Sequence, residues 1–241
     1  MALGNPTLLT TGGSGTNATD YDSGVYTPPT NELILACVSS GNQSGSSVEP
    51  TGAGNSLTWV VAGTILFGGA SDFARRITLF RALGTGTNGA TTFDFGTDTQ
   101  LRCGWWIGSI SGIDTSGTNG SGAIAQVVTD SVTSGEGDAT TISVAYGAFG
   151  DTGNLLFSFA GIHIDEAMTV QTNWTELLDV AVGAEAQRHQ VQYINPRGSE
   201  TVCSSSWTTG TRAGIIGVEI VVASGAPPAS NAKNMLLLGV G

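Results

Sequence analysis

Hydrophobic and polar residues alternate in short runs along the chain, and turn-forming clusters separate these runs. In the segment Arg76–Arg81, Ile77 and Leu79 fall on one face while Thr78 and Phe80 fall on the other, as in a β-strand with its period of two. Short runs spaced at roughly 8–12 residues are typical of a β-sandwich or barrel. The predicted strands are Leu33–Val38, Thr58–Phe67, Arg75–Leu83, Thr91–Phe95, Arg102–Ile110, Ile124–Val128, Thr140–Val144, Asn154–Ile164, Trp174–Val180, His189–Ile194, Thr201–Trp207 and Arg212–Val222.

Glycine and small polar residues dominate the segments between these runs, for example SGNQSGSS, TGAGNS and GIDTSGTNGSG. The chain has 36 glycines and a single lysine, Lys233, whereas a helical protein of this length would be richer in Leu, Glu, Lys and Arg. One short helix is conceivable at Asp179–Gln187, and no internal repeat is evident. We therefore expect an all-β protein, an antiparallel jelly-roll-like β-sandwich folded as a single domain with extended N- and C-terminal arms.

The two ends of the chain differ in composition from its middle. Residues 1–30 are polar and rich in turn formers, and they predict an N-terminal arm. Residues 31–223 predict the jelly-roll sandwich domain. Residues 224–241 predict a linker, which contains Pro227 and Pro228, followed by an apolar C-terminal tail.

The apolar tail needs a partner, because consecutive leucines promote aggregation when they are left in water. Two interpretations are open. The tail returns as an added strand on its own sandwich, or the linker delivers it to a neighbouring subunit or a larger assembly by strand addition. The N-terminal arm offers a second apolar element of the same kind. The candidate assembly residues are Leu3, Leu8, Leu9, Met235, Leu236, Leu237, Leu238 and Val240.

The chain is acidic, with a formal net charge of −11 and 8 Lys and Arg residues. Arg75 and Arg76 form the only adjacent basic pair. Because phosphate backbones and anionic membranes are bound by clustered cations, we expect neither nucleic acid nor a membrane as a partner. The first residues lack a basic segment followed by a long apolar run, so we expect synthesis in a host cytoplasm without a signal peptide.

The chain contains three cysteines, Cys37, Cys103 and Cys203. An odd number of cysteines without a CxxC motif or a short Cys/His spacing indicates neither a disulfide framework nor a zinc site. We expect buried, reduced thiols, although one pair could still form a bridge if the fold brought two strands together.

Two short motifs resemble catalytic signatures, and turns explain both of them better. Gly84–Gly89 matches GxGxxG, but a dinucleotide site needs that motif to open a helix, and the strand-like sequence ATTFDF follows it here. Asp151–Gly153 matches one half of an aspartic-protease site, whose chemistry needs two carboxylates that share a proton. The sequence holds no second copy of that motif and no GxSxG nucleophile motif.

Acid–base chemistry has few candidate residues. His163 lies beside Asp165 and Glu166, as expected for a strand end in a polar loop, and His189 is the only other histidine. Paired carboxylates of the glycosidase kind meet in space rather than in sequence, and the candidates are Glu136, Asp138, Glu176 and Glu219. Their spacing favours no pair, so we expect no enzymatic activity and no cofactor.

Calcium and sugars are the remaining small ligands to consider. Acidic loops at Asp20–Asp22, Asp94–Asp98 and Glu136–Asp138 could supply oxygen ligands to Ca²⁺, although none has the spacing of an EF-hand. Five tryptophans could stack on sugar rings if they were exposed. Since Trp105 and Trp106 are adjacent in a predicted strand, we expect one in the core and the other facing outward or at an interface.

Three segments carry a resemblance to a known class of proteins. Gly108–Ser116 ends a strand in a turn that leads into the second half of the sandwich, Asn173–Asp179 gives a strand of W-T-E-L pattern, and Ser206–Ile220 contains the final tryptophan and strand. In these segments the chain resembles a class of jelly-roll virion proteins found in tailed phages and prophages, and the similarity covers residues 30–223 in layout. It concerns the fold, so the function that it implies is an analogy.

The resemblance implies a structural or adhesive role on a virus particle, in a trimer or a symmetric array. We expect a capsid decoration or cement protein on the virion surface that stabilises the phage head by bridging subunits. Its partners would be the major capsid protein or other virion proteins, and it would form a homotrimer. The alternative is a receptor- or carbohydrate-binding module of a tail or head fibre, with a glycan ligand. A third hypothesis is a glycan hydrolase on a lectin-like sandwich.

Overall fold

The computed structural model describes residues 2–42, 47–68, 74–133, 136–183 and 187–223. Within these ranges the chain forms sixteen strands, whose pairings in the sheets are all antiparallel, and one 3-10 turn at Ser121–Ala123. The prediction of an all-β sandwich is therefore confirmed. The strands are β1 Thr7–Ser14, β2 Asp20–Asp22, β3 Leu33–Gly41, β4 Thr51–Gly54, β5 Val60–Phe67, β6 Arg75–Ala82, β7 Thr91–Asp94, β8 Arg102–Ile110, β9 Ile124–Val132, β10 Ala139–Ala145, β11 Leu155–Ile162, β12 Thr169–Val170, β13 Thr175–Ala181, β14 Arg188–Ile194, β15 Val202–Thr211 and β16 Ala213–Ile220.

The strands are arranged in four stacked sheets. The first inner sheet has the order β1-β8-β3-β6-β5, and the first outer sheet has the order β2-β7-β4. The second inner sheet has the order β13-β14-β11-β16-β9, and the second outer sheet has the order β10-β15-β12. A central core fills the space between the two inner sheets, and one further core lies between each inner sheet and its outer sheet.

The stacking explains the two kinds of sequence pattern along the chain. Each inner sheet is covered on both faces, so its middle strands are buried at every position, as in β3 (LILACVSSG) and β11 (LLFSFAGI). An outer sheet is covered on one face only, and β10 accordingly alternates between buried and exposed residues.

The two halves of the chain share one connectivity. Strands β1–β8 and β9–β16 have the same order in their sheets, with the fifth and sixth strands of each half paired as a hairpin. The registers agree as well, since Leu33 pairs with Ile110 at the end of β8, and Leu155 pairs with Ile220 at the end of β16. Each half is an eight-stranded sandwich with jelly-roll connectivity, so the molecule repeats a fold whose sequence repeat is not evident.

The two halves pack face to face through their inner sheets, and small residues permit the close approach. A Cβ atom at Gly214 would lie 2.8 Å from Cδ1 of Phe67, which ends β5 of the opposing sheet. At the equivalent place in the other half, a Cβ atom at Gly104 would lie 2.9 Å from Cγ2 of Val182. The central interface therefore has approximate two-fold symmetry, and the halves share one core.

Replacing Gly214 with valine is expected to lower the free energy of unfolding by about 1–3 kcal/mol, because overpacking forces strained side chains at a close-packed interface. Urea unfolding would measure the change. The combination with Phe67→Leu should recover part of the loss. Gly150→Ala is the control, because nothing lies within 4 Å of a Cβ atom at Gly150. Equal stability of the Gly214→Val and Gly150→Ala variants would contradict the close approach.

Each of the twelve predicted strands corresponds to an observed strand. The sequence prediction missed the other four, which are β1, β2, β4 and β12. The missed strands are short or rich in glycine and polar residues. β1 lies in the segment expected to be an N-terminal arm and pairs with β8. The short helix that is conceivable from the sequence at Asp179–Gln187 is not present at its start, since β13 continues to Ala181, and residues 184–186 lie outside the described residues.

Candidate functional site

The candidate carboxylates do not converge on one cleft. Glu176 on the edge strand β13 and Glu219 on β16 are separated by β14 and β11, which places the strands about 14 Å apart at the usual strand spacing. Glu136 and Asp138 are exposed in the connection from β9 to β10. Hydrogen bonds from Thr133 lower the pKa of Glu136, so this carboxylate serves a local turn.

Glu219 is the one buried carboxylate among these candidates, with 1% of its surface exposed. Its two oxygens accept hydrogen bonds from Nδ2 of Asn154 at 2.6 Å and from Nε2 of Gln126 at 2.6 Å. Oε1 of Gln126 accepts from the backbone of Gly147, and Oδ1 of Asn154 accepts from the backbone of Val222. Glu219 therefore joins β9, the start of β11 and β16 into one buried polar network.

The two histidines have different environments. His163 is partly exposed just after β11, and its neighbour Glu166 accepts hydrogen bonds from the backbones of Thr208 and Thr209. Hydrogen bonds from Thr209 and Thr208 lower the pKa of Glu166 to about 2. This carboxylate is therefore a fixed anion that anchors β15.

His189 on β14 is fully buried in the central interface. Its ring packs edge-on against Phe159 with centroids 5.7 Å apart, and Gly104 of the opposing sheet gives it room. Neither ring nitrogen has a hydrogen-bond partner. Burial, together with the charge of Arg188, lowers the pKa of His189 to about 3.

The motifs that resembled catalytic signatures lie in turns, as the sequence predicted. Residues 84–89 connect β6 to β7, and Thr87 and Gly89 bond to the neighbouring loops. Asp151 accepts a hydrogen bond from the backbone of Gly153 in the turn before β11. Both motifs are followed by strands, β7 and β11, and not by a helix.

The acidic loops considered for calcium are occupied by protein hydrogen bonds. Asp98 accepts from Nδ2 of Asn42 at 2.7 Å and from Nε2 of Gln100 at 2.8 Å. Asp94 accepts from Gly96, and Asp22 accepts from Thr92. Within the described residues, no three His, Cys, Asp or Glu side chains come together in a geometry that could hold a metal ion.

The tryptophans belong to the cores. Trp106 lies in the central core and Trp105 in the core under the first outer sheet. The expectation that one of the two faces outward or lies at an interface is therefore wrong, and the reason is that the first inner sheet is covered on both faces. Trp174 and Trp207 are each 6% exposed, and Trp59, which packs against the core under the first outer sheet, is the one tryptophan that is partly exposed.

The three cysteines are all buried and free, as expected. They are divided among the three cores, with Cys37 in the central core, Cys103 under the first outer sheet and Cys203 under the second. Burial raises the pKa of Cys203 to about 12. These thiols act as small core residues.

The surface of the described chain carries acidic groups without exposed arginine. Every arginine is buried or only partly exposed. Arg81 donates to the carbonyls of Thr118 and Asn119, and Arg188 pairs with Asp179 and Asp165 at 2.6 and 3.0 Å. Lys233, the single lysine, lies outside the described residues. Electrostatic attraction to an anionic partner therefore has little support on this surface.

The candidate assembly residues of the N-terminal segment lie in three environments. Leu3 is buried in the central core, where its carbonyl accepts a hydrogen bond from Asn195. Leu9 packs partly against the core under the first outer sheet. Leu8 is 51% exposed on the edge strand β1 and is the one of the three that could meet a partner. The tail residues 235–240 lie outside the described residues.

The edge between β9 and β10 is a surface that the sequence prediction missed. A groove of about 300 Å³ runs between them and is lined by Val128, Thr129, Asp130, Ser143, Val144 and Ala145. The two strands end the second inner and second outer sheets on the same side of the molecule. No residue motif marks such a groove, because it depends on which strands end each sheet.

Comparison of the chain with protein-family models, with curated proteins and with solved structures finds no match. The described residues include no helix with the length and apolar content needed to cross a bilayer. The class that the fold defines is an all-β sandwich protein with two jelly-roll halves in four layers.

Proposed function

We propose that this chain is a non-enzymatic structural protein of a bacteriophage virion, namely a capsid decoration protein that stabilises the head by bridging subunits. It acts on the virion surface, as a homo-oligomer with the major capsid protein as its partner. The tail, residues 235–240, is the element that joins the body to its neighbours.

The contrast between the body and the tail carries this proposal. The four-layer body buries both faces of its inner sheets, and its candidate catalytic residues serve turns, cores and hydrogen-bond networks. The sequence then continues beyond β16 with a proline-containing linker and six residues that are almost all apolar. A rigid body with a tethered apolar segment suits a role in assembly through strand addition. The acidic surface suits the outside of a particle that contains DNA.

Deleting residues 231–241 is expected to reduce binding to the phage head at least tenfold, because the deletion removes the proposed docking segment and leaves the sheets intact. The measurement is co-sedimentation with heads purified from a phage that lacks the gene. The thermal unfolding of the truncated protein should match that of the full chain. Lys233→Gln is the control and should bind nearly as well.

Two outcomes would contradict the proposal in different ways. If the truncated protein occupies the heads as fully as the full-length chain, the tail is not the docking element. If the full-length chain does not bind heads at all, it is not a decoration protein. Binding on a glycan array would then favour the receptor-binding alternative.

A further inference from the structure

We infer that the tail of one copy, Met235–Val240, adds as a strand to β9 of a second copy of this chain, along the edge where β9 has no strand partner among the described residues. The inference rests on the proposed function in that it takes the tail as the assembly element, and it names the partner and the acceptor edge.

The tail has the pattern of an inner-sheet strand. Met235, Leu236, Leu237 and Leu238 are consecutive apolar residues, so an extended tail presents apolar side chains on both faces. An outer sheet would leave one of those faces in water. An inner sheet is covered on both faces, and continuous apolar runs are typical of its strands. The acceptor therefore belongs to one of the two inner sheets.

The inner sheets end in four edge strands, β1 and β5 in the first and β9 and β13 in the second. All four edge strands contain a bulge, and the regular segments that remain in β1, β5 and β13 are shorter than the one in β9, for example Gly63–Phe67 in β5. In β9 the register runs without a shift from Gln126 to Val132, and just beyond it Thr133 bridges to Gly68. Bulges protect a sheet edge from strand addition, so β9 is the least protected of the four.

The groove beside β9 can receive the side chains of an added strand. Val128 is partly exposed and contributes apolar surface beside the buried Val144, and the exposed residues Thr129, Asp130 and Ser143 make the larger part of the lining polar. A strand hydrogen-bonded to β9 would place alternate side chains over this groove. Lys233, which precedes the tail, supplies a positive charge that complements the carboxylate of Asp130.

The linker favours a second copy over the same chain. The backbone N–H of Ala223 donates to the carbonyl of Gly112 at the end of the sheets where β9 begins. The linker therefore leaves the body at that end, whereas β9 runs from there back along the body. Pairing with its own β9 would require residues 224–234 to reverse direction. Pro227 and Pro228 favour an extended course instead. Extended, these residues span up to roughly 36–40 Å at about 3.3–3.6 Å per residue, which is enough to reach a neighbouring body.

The inference is tested in solution by the oligomeric state of the chain and by mixing two variants that each lack one half of the proposed contact. The full chain is expected to sediment as an oligomer of its 24.4 kDa subunit, and the chain without residues 231–241 as a monomer. Ser143→Lys, which places a cation in the groove, should weaken self-association at least tenfold. Thr140→Lys is the matched control, since Thr140 is also exposed on β10 but does not line the groove. Circular dichroism should show that both variants are folded.

Mixing supplies the decisive measurement. The Ser143→Lys chain keeps its tail, and the truncated chain keeps its edge, so together they should form a one-to-one complex although each alone is monomeric. A full-length chain that is monomeric at high concentration overturns the inference, and so does a truncated chain that still forms oligomers. Because head binding is measured separately, a monomeric chain that binds heads would refute strand donation and leave the decoration role intact.

Discussion

Lowering the pH from 7 to 5 is expected to reduce the free energy of unfolding by about 2 kcal/mol, because His189 can be protonated only after the protein unfolds. The pKa of His189 is about 3 in the folded protein, whereas an unfolded histidine has a pKa of about 6.5. Between these values the unfolded state binds one more proton than the folded state. Stability is therefore complete above about pH 6.5 and falls by about 1.4 kcal/mol for each pH unit below it.

Urea unfolding at a series of pH values would measure this loss. His189→Ile should remove most of the pH dependence between pH 7 and 5, whereas Gly150→Ala, at a position with open space around it, should leave it unchanged. Protonation of carboxylates with lowered pKa values, such as Glu166, also destabilises the folded protein as the pH falls. Because the pKa of these carboxylates in the unfolded protein is about 4, that loss occurs below pH 5. A pH slope that persists in the His189→Ile variant would refute this assignment.

Isoleucine is the natural replacement, because the other half of the molecule already uses it. Ile77 pairs with Ser39 in β3, and His189 pairs with Gly161 at the equivalent position of β11. One half of the central interface therefore has an aliphatic residue where the other half has an imidazole without hydrogen-bond partners. Ile77 thus shows which side chain the fold accepts at the position equivalent to His189.

Sequence patterns predicted the sandwich because each run between turn clusters is a strand. The limits of β8, Arg102–Ile110, were predicted correctly, since turn formers flank an apolar run. The prediction failed where strands carry little apolar surface. β4 has the sequence TGAG and is held by its pairing with β7, which no local pattern reveals.

The layering could not be predicted, and it decides the role of several residues. A single sandwich has one core, so the sequence predicts one of Trp105 and Trp106 in the core and the other facing outward or at an interface. Four layers give an inner sheet two buried faces, and both indoles are buried. The repeat was hidden for a related reason. Equivalent positions conserve burial and pairing rather than residue type, as with Leu35 and Phe157, which pair with the equivalent residues Gly108 and Val218.

The same limit applies to the candidate sites. Glu219 lies in an apolar run, and the sequence offers it only as one candidate for a pair of glycosidase-type carboxylates. It is in fact enclosed by the amides of Asn154 and Gln126, which lie 65 and 93 residues away in sequence. The free edge of β9 was missed because being an edge depends on strand order rather than on residue identity.

Replacing Glu219 with leucine is expected to lower the free energy of unfolding by about 2–4 kcal/mol, because two side-chain amides lose the carboxylate that accepts their hydrogen bonds. The side-chain amides of Asn154 and Gln126 would each lose a charge-assisted hydrogen bond and remain buried or half-buried. An unsatisfied buried donor costs about 1–3 kcal/mol. Equilibrium urea unfolding, followed through tryptophan fluorescence, would measure the difference.

Two further variants separate the network from the loss of one negative charge. Glu219→Gln retains one acceptor and turns the other oxygen into a donor that faces a donor, so its loss should be smaller than that of the leucine variant but clearly measurable. Asp138→Asn removes a charge from an exposed side chain and should change stability little. If Glu219→Leu were as stable as Asp138→Asn, Glu219 would not be the residue that joins β9, β11 and β16. In that case apolar contacts alone would hold these three strands together at the position of Glu219.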